Sequence, residues 1–83
     1  MAVTRVLLFG RLRDVAGWRE RLYEPAPATL AALKALIVAD RLDLAAALEA
    51  PGVRAAVDRV LVRGDCALGD GAEVAFMPAM SGG

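Results

Sequence analysis

The sequence predicts a small α+β domain: strands at both ends of the chain, with one amphipathic helix laid across a single face of their sheet. Three observations lead there. Short runs of β-branched and large apolar residues open and close the chain, a helical apolar stripe lies between them, and regular strand–helix alternation, which would mark a parallel wound sheet, is missing.

Val3 to Phe9 (VTRVLLF) is apolar and stops at Gly10, as expected of a largely buried strand. Trp18 to Glu24 alternates charged and apolar residues and suits an edge strand with one wet face. A long hairpin loop, 10–17, is expected to join them. Pro25 and Pro27 end the pairing, because proline has no amide to donate to a ladder. Thr29 is placed to cap a helix whose stripe is Leu30, Leu33, Leu36 and Ile37, with Lys34 on another side. Asp43 to Glu49 reads as a second short helix closed by Pro51-Gly52. Val53 to Val57 and Val60 to Val62 form a hairpin turning at Asp58-Arg59, a weaker turn pair than Asp-Gly. Asp70-Gly71 marks another turn, and Glu73 to Pro78 is the last strand.

Composition narrows the function. Ten basic residues balance ten acidic ones, so no overall field favours nucleic acid. Lys34 is the one lysine, which makes polymers branched through lysine improbable. Without histidine and with Cys66 alone, a zinc cage, a Ser-His or Cys-His nucleophile and a histidine base are all excluded, and self-contained catalysis is not expected. A single cysteine forms no internal disulfide and suits a reducing compartment. No apolar run reaches the roughly 18 residues of a membrane span, and the opening residues lack a secretory pattern. A soluble, cytoplasmic protein without a membrane role is expected. Cys66 itself is read as a small apolar filler.

Period-two alternation assigns faces. If Val74 and Phe76 face the helix, so do Val6, Leu8, Val60 and Val62. The other face then carries Phe9, Leu61 and Met77 beside Arg5 and Arg63. With a helix over only one side of the sheet, these residues make an arginine-rimmed apolar docking surface for a partner protein.

Beyond Pro78 the chain reads Ala79-Met80-Ser81-Gly82-Gly83. At a background glycine frequency of about 7%, two glycines fall at a given end in about 0.5% of chains. Glycine allows close backbone approach and leaves its carbonyl unhindered. Fully extended, the segment 79–83 spans about 17 Å, enough to enter a narrow channel in another protein. The expected division is a folded domain over 1–78 and an insertable tail over 79–83. A carboxylate needs activation before transfer, most simply as an acyl-adenylate, after which a sulfur donor can displace AMP and leave a thiocarboxylate.

Together the segments LFGRLRDVAG, Ala55-Ala56-Val57 and LGDGAEVAFMPAMSGG resemble the small, sulfur-carrier subunits of molybdopterin synthase, within the ubiquitin-like sulfur carriers. The resemblance runs almost the whole chain. It implies a β-grasp fold with a mixed sheet, one main helix on one face and a Gly-Gly tail. An ATP-using adenylating enzyme related to ubiquitin-activating enzymes would modify Gly83, and a sulfur donor protein would supply the sulfur. Met80, Ser81 and Gly82 would thread into the large synthase subunit, in a heterotetramer of two small and two large subunits. The chain would bind no cofactor of its own and would not be the catalyst. Phe9, Leu61 and Met77 match the family's docking face, and Arg13 matches a basic residue of its first loop. Asp58 stands where asparagine is frequent, and Pro78-Ala79 where Pro-Pro is frequent. The alternatives are a sulfur carrier for thiazole synthesis or tRNA thiolation, a ubiquitin-like protein modifier, and a plain β-grasp binding module.

Overall fold

Alternation at both ends of the chain brings the first and last strands together in the middle of one sheet. The computed structural model describes residues 2–78. Its elements are β1 (Thr4–Leu8), α1 (Gly10–Ala16), β2 (Glu20–Tyr23), α2 (Leu30–Asp40), α3 (Asp43–Leu48), β3 (Arg54–Val57), β4 (Val60–Val62) and β5 (Glu73–Met77). The five-stranded sheet has the order β2-β1-β5-β3-β4. β1 and β5 run parallel, with Val6 beside Val74 and Leu8 beside Phe76. The β2–β1, β5–β3 and β3–β4 pairs are antiparallel. This is a β-grasp sheet.

All helices cover one face. Val6, Leu8, Val74 and Phe76 point into a core closed by Leu30, Leu33 and Ile37 of α2, Leu12 and Ala16 of α1, and Leu44 and Leu48 of α3. Burying each large apolar side chain stabilises the fold by about 1.5 to 3 kcal/mol before chain entropy is counted. α2 begins as expected: Thr29 Oγ1 accepts the Ala32 amide at 3.1 Å. Two further amides of its first turn are also satisfied, Ala31 by Asp65 Oδ1 at 2.8 Å and Leu30 by the Cys66 carbonyl at 2.9 Å. The loop at 65–66 is thereby tied to the start of the helix.

The structure corrects the sequence reading in three places. The expected hairpin loop over 10–17 is largely α1, whose Leu12 and Ala16 are spaced i, i+4 and buried. Gly17, at φ 81°, ends α1 in the left-handed conformation that glycine adopts without a Cβ clash, and its amide donates to the Arg13 carbonyl at 2.9 Å. Leu36 is not in the buried stripe but 43% exposed, because at 100° per residue it stands about 90° from the stripe's centre. Val60 lies in register with Val57 on the helix side, yet it is 64% exposed, since β4 is the end strand and the helices do not reach over it.

Arg41, just past α2, ties the helices together. Its Nη1 and Nη2 donate to the Ala16 and Val15 carbonyls, each at 2.8 Å, at the C-terminal end of α1, where free carbonyls concentrate negative charge. Asp43 holds the same guanidinium from the other side, with Nε donating to Oδ1 at 3.1 Å and Nη2 to Oδ2 at 2.8 Å. The hydrogen bond from Arg41 is the main cause that holds the Asp43 carboxyl below the usual aspartate range; partial desolvation opposes it, and the charge of Arg41 adds a lesser push downward. Among the described residues, no helix is long and apolar enough to cross a membrane.

Two expectations follow. The β3–β4 turn has φ 50° at Asp58 and 70° at Arg59, so both central residues are left-handed, as in a type I′ turn. An arginine there is strained, and Arg59→Gly should stabilise the domain by about 1 kcal/mol, raising Tm by several degrees in thermal melts followed by circular dichroism. Because the folded-state pKa of Asp43 is depressed, its contribution is present above the unfolded value of about 4 and lost as pH falls through the lower folded value. Asp43→Asn should therefore lower Tm at pH 7, and the gap to the parent should close in melts taken progressively below about pH 4.

Candidate functional site: the open sheet face and the tail exit

The sheet face away from the helices is set by the same registers that build the core. One row crosses it as Glu20, Leu7, Ala75, Ala56 and Leu61, one residue from each strand from β2 to β4. The next row pairs Met77 with Arg54, and Phe9 borders it because its amide extends the ladder to the Phe76 carbonyl at 3.2 Å. On the far side lies a third row of Leu22, Arg5 and Glu73. The result is an apolar band with charged borders. Phe9 is 47% and Leu61 56% exposed, while Leu7, Ala75 and Met77 are half-buried.

Phe9, Leu61 and Met77 therefore share one face, with Leu61 two strands over from Met77. The sequence reading missed Ala56 and Arg54 between them, because their place depends on β3 pairing with β5. Leu22, 63% exposed on β2, also joins the face, and the alternation of the 18–24 segment carried that signal. Arg13 stands apart from it: it sits on α1, exposed, with Asp14 Oδ1 3.8 Å from its Nε. Arg5 is on the face but already matched, its Nε 2.7 Å from Glu20 Oε2 and its Nη1 3.6 Å from Glu73 Oε1. The hydrogen bond to Glu20, then the charges of Glu20 and Glu73, raise its pKa despite some desolvation.

The chain leaves the sheet beside this band. Pro78 packs over Gly10, where an added Cβ would come within 2.9 Å of Pro78 Cγ and where φ is +55°, so two constraints select glycine. Pro78 also lines a groove of about 730 Å³ with Leu12, Val15, Ala47 and Val53. Met80, Ser81, Gly82 and Gly83, the tail expected from sequence, lie outside the described residues. Cys66 is half-buried against the core, as a small apolar filler would be. Among the described residues, no group of three or more acidic, cysteine or histidine side chains converges as a metal site.

Comparison with solved structures places this arrangement among known ones. Small archaeal modifier protein 1 from Methanosarcina acetivorans superposes with a TM-score of 0.85 at 20% identity, over 100% of this chain and 98% of that one. The protein of the same name from Haloferax volcanii gives 0.79 at 22% identity, covering 98% and 99%. A putative molybdopterin converting factor, subunit 1, from Pyrococcus furiosus gives 0.80 at 26% identity, covering 96% and 100%. No curated protein sequence matches the chain. The ThiS family profile matches residues 6–83, from the second core position of β1 through the closing glycines. That match spans nearly the whole β-grasp domain and the Gly-Gly segment, and by it the chain belongs to the ThiS family of ubiquitin-like sulfur carriers.

Proposed function

We propose that this chain is the sulfur-carrier subunit of molybdopterin synthase, a co-substrate rather than a catalyst. The observation that carries the reading is continuity: the apolar face of Leu7, Ala75, Met77, Phe9 and Leu61 runs up to Pro78, from which the segment 79–83 leads. A partner docked on that face lies next to Pro78, the residue before the tail. The 26% identity to the Pyrococcus furiosus protein, named as a putative molybdopterin converting factor subunit, supports this assignment over the other carriers.

In this reading residues 79–83 are the working tail. The Gly83 carboxylate attacks the α-phosphate of ATP in an adenylating partner, forming an acyl-adenylate and releasing pyrophosphate. Sulfide released by a donor protein adds at the Gly83 carbonyl and expels AMP, leaving a thiocarboxylate. Gly82 and Ser81 let the backbone pass through a channel too narrow for larger side chains. Within the large subunit the sulfur is passed to a pterin precursor, and hydrolysis returns the carboxylate. Phe9, Leu61 and Met77 hold the large subunit, while Arg13, on α1, is at most a peripheral contact.

A second reading has its own support. Two of the structural matches are named as small archaeal modifier proteins, and attachment to target lysines would use the same face and the same activated Gly83. The products differ. A carrier gains the mass of one oxygen-to-sulfur exchange at Gly83, whereas a modifier yields isopeptide adducts.

Intact-mass spectrometry of the chain purified from its own cells, without a C-terminal tag, should show the sulfur exchange at Gly83. Isopeptide adducts with no thiocarboxylate would favour the modifier. Leu61→Asp should leave Tm nearly unchanged, because the side chain is 56% exposed. The same change should weaken binding of the large subunit by about tenfold or more in calorimetry, as a charge buried at an interface would.

A further inference from the structure

Where β5 runs out beside β1, a proline ring takes over from backbone pairing. The Phe9 amide donates to the Phe76 carbonyl at 3.2 Å, the last such bond between these strands among the described residues. The Phe9 carbonyl is turned away to the first turn of α1, where it accepts the Leu12 amide at 3.2 Å, and Pro78 has no amide to offer. Its ring meets Gly10 instead. The place of the missing Gly10 Cβ lies 2.9 Å from Pro78 Cγ and 3.6 Å from Cδ. Alternation along β5 carries through to this contact: Phe76 is in the core, Met77 is half-buried on the open face, and Pro78 returns to the helix side, lining the groove with Leu12, Val15 and Val53.

We infer that Gly10 is a positioning residue: its bare face seats the Pro78 ring, and the seated ring sets the bearing on which the chain leaves the sheet. The turn alone does not demand glycine, because a φ of +55° is one that asparagine also adopts. The ring does. Two carbons at 2.9 Å are well inside their optimum of about 3.5 to 4.0 Å, so any Cβ at position 10 pushes on Pro78. A flexible side chain would rotate away. A proline ring closes on its own backbone nitrogen, so displacing it displaces the chain at the residue before segment 79–83. For a partner seated on the open face, the mouth of its channel is fixed relative to the sheet, and a chain that starts on another bearing must bend to enter it. The consequence for charging Gly83 rests on the proposed carrier function; the seating of Pro78 does not.

The test compares the full chain with its Gly10→Asn variant, both shown by melting to be folded. In residual dipolar couplings of the nitrogen-15 labelled protein, the Ala79 and Met80 amides should change while those of β1 and β3 hold. In ATP–pyrophosphate exchange with the chain's own adenylating partner, kcat should fall at least about tenfold, with KM for the carrier within about twofold because the open face is untouched. Pro78→Ala removes Cγ and Cδ and leaves Cβ 4.0 Å from the added atom, so on that background Gly10→Asn should alter kcat less than about threefold. Strain confined to the turn would cost the same in both backgrounds, and that result would overturn the proposal. Unchanged couplings at Ala79 would overturn it as well. Absence of exchange with the parent chain would count against the carrier function instead, and the couplings would then decide the seating of Pro78.

Discussion

The parallel pairing of β1 with β5 is the constraint on which the rest of the molecule depends. It sets Val6 beside Val74 and Leu8 beside Phe76 at the centre of the sheet, each nearly inaccessible to solvent, and gives α2 a continuous apolar floor. Parallel neighbours need a long crossover between them, and the whole chain from Gly10 to Ala72 serves as that crossover. The same register turns Leu7, Ala75 and Met77 to the other side. Core and open face are therefore two consequences of one alignment, and a slip of one residue would exchange them.

Electrostatics then differentiates a surface that is neutral in sum. Arg5 is absorbed between Glu20 and Glu73, and Arg41 between Asp43 and the end of α1, so these cations organise the fold. Lys34, Arg54 and Arg63 are unmatched among the described residues and cluster toward the end of the sheet where Met77 and Pro78 lie. Exposed ion pairs of the first kind add little to stability individually, but they leave the middle of the open face apolar. The profile match shows the family, and the described fold presents an open apolar face that reaches Pro78, after which the sequence continues to Gly82-Gly83.

Much of this was legible in the sequence because it rests on local rules. The capping role of Thr29, the inward sets Val6–Leu8 and Val74–Phe76, and the turn at Asp58-Arg59 follow from side-chain chemistry and period two. The misreadings share a cause. α1 is too short for periodicity to dominate, and its spacing of Leu12, Val15 and Ala16 before Gly17 was outweighed by the flanking glycines. Leu36 and Val60 sit on plausible stripes, but their exposure depends on how far a helix extends over a sheet whose strand order only tertiary structure fixes. The tie from Arg41 to Ala16 and Val15 spans about 25 residues and had no local signal. For the candidate site, Phe9, Leu61 and Met77 were assigned to one face by alternation, while Arg54 and Ala56 became its neighbours only through the β3–β5 pairing.

The central claim is that the free carboxyl group of Gly83 is the reactive group of this protein. The most direct measurement is synthesis of molybdopterin in a reconstituted system in which Gly83 is supplied either free or as its C-terminal amide, with folding of both forms verified by melting. The account predicts product with the free carboxylate and none with the amide, although both dock on the large subunit. Normal product formation by the amidated chain would contradict it.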